Sequence, residues 1–167
     1  MAECFEPVAR ADARVLVLGS VPGEASIAAQ QYYASERNSF WPVFEALFGD
    51  GSLLDYPARL DLVLRSRVAL WDVLASAKRE GSLDSAIDAG SEVPNDILRF
   101  LDSHPSVKHV FFNGAKAEAS FKRHLGDGLP SGRVELTRLP STSPANATMS
   151  FGAKLEAWRA VADAARE

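Results

Sequence analysis

The stretch Val15-Leu16-Val17-Leu18-Gly19-Ser20-Val21-Pro22-Gly23 decides the fold. An unbroken apolar, β-branched run that stops at a glycine- and proline-bearing turn is the pattern of a strand buried on both faces of a parallel sheet. Three further segments repeat it: Val68-Ala69-Leu70-Trp71 before Asp72, His109-Val110-Phe111-Phe112 before Asn113-Gly114, and Val134 to Leu139 before Pro140-Ser141-Thr142-Ser143-Pro144. Helical spacings lie between them. Phe40, Phe44 and Leu47 form one face, and Leu60, Val63 and Leu64 another. Ile97, Leu98 and Leu101 follow a cap at Asn95 or Asp96, and Ala117, Phe121 and Leu125 recur at spacing four. After Ser150, Phe151, Leu155, Trp158 and Val161 share a face. Strand–helix alternation predicts one α/β domain over residues 1–167, with helices on both faces of a parallel sheet. The polar segment from Arg79 to Glu92 is expected to be a surface excursion of that domain.

A chain of 167 residues, 47% hydrophobic and 24% charged, can bury a full core without staples. Its one cysteine, Cys4, excludes an internal disulfide and any cysteine-built zinc or iron–sulfur site within the chain. The three histidines, His104, His109 and His124, show no metal-ligand spacing, so no metal is expected. No apolar run approaches the roughly 18 residues of a spanning helix, so no membrane partner is expected. Met1 to Glu6 has neither a basic start nor a greasy stretch, which makes the cytoplasm the expected compartment; the expected state is a monomer. The net charge of −4 argues against coating nucleic acid by bulk electrostatics, although a local cationic face can sit on an acidic molecule.

Ligands of open parallel sheets bind outside the carboxyl ends of the strands. Those ends carry Ser20 to Ser26, Asp72, Asn113 and Ser141 to Asn146. Each has an ordinary structural reading: a tight turn, a cap, a turn dipeptide, a solvated loop. Their convergence on one sheet edge makes them a candidate site. The first turn is no dinucleotide fingerprint, because Pro22 stands where amide donors are needed, and there is no Gly-Lys-Ser/Thr phosphate loop or Gly-x-Ser-x-Gly elbow. Gln30 to Pro42 interleaves aromatics with amides just after the first loop. Phe40 and Trp41 read as core. Tyr33, Arg37 and Asn38 suit a flat heterocycle, an aromatic to stack and an amide to donate and accept.

On these residues the chain resembles the uracil-DNA glycosylase superfamily, in its hypoxanthine-DNA (DNA-deoxyinosine) glycosylase branch. The resemblance rests on Gly19-Ser20-x-Pro22-Gly23-x-x-Ser26 and on Tyr32-Tyr33-Ala34-x-x-Arg37-Asn38-x-Phe40-Trp41. It continues through Ala69 to Leu74, Val110 to Gly114 and Leu139 to Ala145, spanning about Val15 to Trp158. It implies a three-layer α/β/α fold around a four-stranded parallel sheet, and an enzyme that flips a deaminated base from DNA and hydrolyses its N-glycosidic bond without a cofactor. By resemblance Asn38 is the catalytic residue and Tyr33 stacks on the base. Ser20 stands where other branches hold a catalytic Asn or Asp, and Asp72 stands at a base-reading position. Asn113 completes the base pocket. Pro22, Gly23, Arg37, Ser141, Thr142, Ser143 and Asn146 fall on the DNA-gripping motifs. The chain departs from the family in having Ser35-Glu36 where His-Pro often precedes Arg-Asn, and in having no histidine near Ser141 to help the departing base.

Two rivals stand beside a hypoxanthine enzyme: a uracil-first glycosylase, and a non-catalytic nucleotide-binding module using the same strand ends. Met149 or Asn146 is a candidate wedge for the vacated stack, and Arg37 or Lys154 a candidate cation on the rim. An acidic chain making few cationic contacts predicts DNA binding that weakens gently with salt. Fluorescence anisotropy across a salt series checks this, and a loss of orders of magnitude on modest addition contradicts it.

Overall fold

The computed structural model describes residues 1–167. The chain opens with β1 (Ala2–Glu3), β2 (Val15–Gly19), α1 (Glu24–Ala29), α2 (Phe40–Phe48) and α3 (Tyr56–Arg65). It continues through β3 (Val68–Asp72), β4 (Leu74–Ala77), β5 (Val93–Pro94) and α4 (Ile97–Ser103). It closes with β6 (His109–Asn113), α5 (Ala115–Leu125), β7 (Glu135–Leu139) and α6 (Phe151–Ala165). The main sheet has four strands in the order β3-β2-β6-β7, all parallel. Register sets Gly19 beside Asp72 and Leu18 beside Phe112, so β2, β3 and β6 end level.

Strand alternation divides the core into two halves. Leu16, Leu18, Ala69, Val110 and Phe112 face one side, packing with Ile97 and Leu101 of α4 and Ala117 and Phe121 of α5. Val15, Val17, Val68, Leu70 and Phe111 face the other, against Phe40 and Phe44 of α2, Leu62 and Val63 of α3, and Trp158 and Val161 of α6. This is the three-layer arrangement. Local signals start several helices: Asp55 accepts from the Ala58 amide, Asp96 rather than Asn95 from Arg99, and Ser150 from Ala153.

Four features differ from the sequence reading. A small antiparallel sheet, β1-β4-β5, adds to the main one, its strands too short to show periodicity. The edge strand β7 is largely exposed, with only Leu139 buried. Phe151, at the first turn of α6, is 47% exposed because it precedes the point where the helix meets the core. Lys154, expected on the rim, is buried.

The segment from Arg79 to Glu92 is a mostly exposed surface excursion of the domain, as expected, but it is tied down at both ends. Its base closes through the Lys78 amide on Ser91 Oγ and the Asp88 amide on the Lys78 carbonyl. Its end is pinned by Glu92, whose carboxylate, with its side chain fully enclosed, accepts from Lys116 at 2.7 Å, Ser120 at 2.7 Å and His124 at 3.2 Å. Burial alone would raise the Glu92 pKa, but these hydrogen bonds outweigh it and hold the group below the ordinary glutamate range. Its contribution is therefore full at neutral pH and fades as acid protonates it. Glu92→Ala, which strands Lys116 and Ser120, is expected to cost about 3 kcal/mol, read by urea unfolding at pH 7. An unchanged midpoint would contradict a structural role for the pin.

Candidate active site

The carboxyl ends of β2, β3 and β6 surround a cavity of about 250 Å³. It lies at the point where the sheet order reverses about its first long strand, the place open α/β sheets use for ligands. Ser20, Tyr33, Asn38, Asp72, Asn113 and Ser141 all line it.

Tyr33 sits in left-handed backbone, φ 54°, and its ring stacks on Phe40 at 4.0 Å between centroids, 20° from parallel. Phe40 is fully buried among Trp41, Phe44 and Trp158, so it is a fixed backing for that ring. The loop between α1 and α2 that carries Tyr33 is held by the Tyr32 amide on the Tyr56 hydroxyl, the Trp41 indole on the Tyr32 carbonyl and the Ala34 amide on Ser26 Oγ. Five residues on, Asn38 Oδ1 accepts the Phe40 amide at 2.9 Å. That bond fixes the orientation of the side-chain amide and leaves its NH2 as the group free to donate.

Asn113 works differently. Its Oδ1 accepts the Thr142 amide at 3.0 Å, and its Nδ2 donates to Thr142 Oγ1 at 2.9 Å and to the Tyr33 hydroxyl at 3.3 Å. Thr142 is buried and its hydroxyl engaged, so it braces the loop after β7 and does not face outward to DNA. Ser141 and Ser143 are more open. Their hydroxyls accept local amides, from Ser143 and Ala145, and keep their protons for donation outward. Asn146 bonds back to the Ser141 carbonyl and shapes the loop without lining the cavity. Arg37 is exposed beside Asn38, also outside the lining.

Pro22 and Gly23 are clamped from behind. The Arg79 guanidinium donates to the Val21 and Pro22 carbonyls, and the Glu24 amide donates to Ser82 Oγ at 2.9 Å. Arg79, Ser82, Leu83 and Asp84 line the cavity as well. These four were missed from sequence because polarity without periodicity reads as solvent exposure. No local signal ties Asp84 to Ser20, sixty-four positions earlier.

Asp72 is the electrostatic anomaly. It is buried, its Oδ2 has no hydrogen-bond partner, and a methyl on Gly19 would lie 2.6 Å from Oδ1 and 3.2 Å from the Tyr33 hydroxyl. Burial pushes its pKa up to about 7; Arg79 opposes the rise and Asp84 adds to it. The Tyr33 phenol is likewise pushed up by burial and the nearby Asp72, and stays neutral. No three His, Cys, Asp or Glu side chains gather as a metal-ligating set.

The family model described as the uracil DNA glycosylase superfamily matches residues 6–162. The chain belongs to that superfamily. A hypoxanthine DNA glycosylase of Methanosarcina acetivorans is 36% identical over 159 residues, 94% of this chain and 95% of the relative. One from Methanosarcina barkeri is 38% identical over 114 residues, 68% of this chain and 71% of the relative. A solution NMR structure of a candidate uracil DNA glycosylase from Methanosarcina acetivorans superposes with a TM-score of 0.81 at 31% identity, covering 99% of both chains. Membership agrees with the fold and gives the cavity its context. No helix of this superfamily member is long and apolar enough to cross a membrane.

Because Asp72 holds a proton more tightly folded than unfolded, its contribution to stability is expected to be greatest below about pH 4 and to fall as pH rises toward 7. Asp72→Asn removes that slope, worth on the order of 4 kcal/mol across the window. Urea midpoints of the parent and variant at pH 4 to 8 check it, and parallel curves contradict it.

Proposed function

We propose that this protein is a DNA glycosylase that extrudes hypoxanthine from DNA and hydrolyses its N-glycosidic bond, leaving an abasic site. We propose that it works as one domain over residues 1–167, a monomer in the cytoplasm. The observation that carries the reading is the Asn38 amide, turned by its bond to the Phe40 amide so that an NH2 remains as a donor to the cavity. Its two similarly sized relatives from Methanosarcina, both named hypoxanthine DNA glycosylase, support the choice of base.

In the proposed complex the extruded base lies on the face of Tyr33 that Phe40 leaves uncovered. As the bond to the sugar breaks, negative charge grows on the base, and the fixed Asn38 NH2 donates to it. A preorganised neutral donor of this kind is worth roughly 3 kcal/mol. Asp72 reads the edge: as carboxylate it accepts from N1–H, and as the neutral acid it also donates to O6. Ser20 and Asn113 complete the base pocket, Asn113 by holding Tyr33 and the loop after β7. Pro22, Gly23, Ser141 and Ser143 offer small, polar contacts to the backbone, with Arg37 as the exposed cation and Asn146 and Thr142 holding the loop in shape.

Single-turnover cleavage of labelled oligonucleotides carrying one inosine, uracil or xanthine tests this. Cutting at inosine is expected, with Asn38→Ala slowing it about 100-fold or more while unfolding normally. Cutting at uracil instead moves the specificity. No cutting of any by folded protein leaves the nucleotide-binding module.

A further inference from the structure

Ser20 is a weak group to find where superfamily resemblance places a catalytic acid or amide, and its surroundings change its meaning. Ser20 Oγ donates to Asp84 Oδ1 at 2.6 Å. Asp84 opens a 3-10 turn on the Glu92-pinned arm and lines the same cavity as Asn38, Tyr33 and Asp72. Its side chain is 39% exposed, so its second oxygen, which makes no hydrogen bond within the protein, is open to solvent. Arg79, with its side chain only 2% exposed, lies 3.7 Å from Oδ1 while gripping the carbonyls of Val21 and Pro22. The charged groups around Asp84 are thus Arg79 on its own arm and Asp72 at the end of β3, with Glu24 of α1 acting on Arg79. The arm delivers a carboxylate to the first-motif position, with its distance from Ser20 fixed by one short bond and its base fixed by Glu92.

We propose that Asp84 is the catalytic base of this site, taking a proton from the water that attacks the sugar, with Ser20 as its positioning residue. This rests on the glycosylase reading above. The C1′–N bond breaks and its electron pair leaves with the base, held by the Asn38 NH2. The water oxygen bonds to C1′, and the water's proton passes to the free oxygen of Asp84. The base then picks up a proton and Asp84 returns its own to solvent, so only water is consumed. Asp72 is poorly suited to the same role, because its Oδ2 is sealed from solvent and burial raises its pKa to about 7, so that about half of it is protonated at neutrality.

The test uses full-length protein and an inosine oligonucleotide under single-turnover conditions, with binding to a stable abasic-site analogue measured alongside. Asp84→Asn is expected to lower the cleavage rate about 100-fold with analogue binding and melting temperature unchanged. Formate is expected to restore part of the activity of Asp84→Ala and none of that of Asn38→Ala. Ser20→Ala is expected to cost less than Asp84→Asn, and little more when combined with it. Cleavage by Asp84→Asn at the parent rate overturns the assignment, as does a rate loss matched by lost analogue binding with no response to formate. A parent that cuts no deaminated base overturns the glycosylase reading, and the role of Asp84 with it.

Discussion

The two hydrogen bonds between the Asn113 side chain and Thr142 hold the site together. Asn113 ends a central strand, and Thr142 lies in the loop after the edge strand, so the pair fixes that loop to the sheet. Thr142 then passes the constraint on, since its carbonyl accepts both the amide and the hydroxyl of Ser39, at 3.0 and 3.2 Å. Ser39 sits between Asn38 and the start of α2. A displacement of Thr142 would therefore move the Asn38 amide, the Phe40 ring behind Tyr33, and the Ser141–Ser143 loop together. Gly114 makes this approach possible: it adopts φ 95°, and a side chain there would lie 3.1 Å from Ser141 Cβ.

Against that rigid half stands a charged one. Asp72, Asp84 and Arg79 put two carboxylates and one guanidinium around the same cavity. The single cation cannot satisfy both anions at close range, and its attention goes chiefly to backbone carbonyls. The outcome is uneven: the buried carboxyl is driven toward neutrality, and the partly solvated one keeps a hydroxyl partner and an open oxygen. Two acids with different environments in one pocket can hold different roles, one reading a base edge and one facing water. That difference comes from depth, since Asp72 ends strand β3 of the main sheet and is buried, while Asp84 rides on an arm outside the sheet.

Much of the frame was legible in the sequence because it is written in short-range pattern. The runs at Val15, Val68 and His109 became β2, β3 and β6, and Phe40 and Trp41 became core as their reading implied. Turn chemistry after each strand located the cavity. What was not legible depends on long-range pairing. The small sheet is built from strands of two to four residues whose identity lies in their partners. The Arg79–Glu92 arm is mostly polar, and its place follows from Ile87 reaching the core, Glu92 meeting α5 and Arg79 meeting the first turn. Thr142 looked like a free hydroxyl because its neighbours are polar, whereas the bond from Asn113 turns it inward. Lys154 follows Phe151 in a segment that reads as rim, yet the helix turns it toward the interior and leaves the aromatic ring out.

Those burials bear on how an acidic chain meets a polyanion. Arg79 is enclosed and Lys154 is buried, which leaves Arg37 as the exposed cation next to the proposed catalytic amide. Contacts to phosphate must then come mainly from peptide amides and the Ser141 and Ser143 hydroxyls, which position a backbone but release few counterions. Under the proposed function, such a surface is expected to hold ordinary duplex weakly. The energy to unpair and unstack a base, a few kcal/mol, must come from the pocket that receives it. A well-paired base resists that transfer, while a deaminated and mispaired one has already lost part of what holds it in the helix. In the proposed function, weak backbone affinity would act as a filter ahead of any reading of the base edge, and the cavity would need only to distinguish among bases that leave the stack easily.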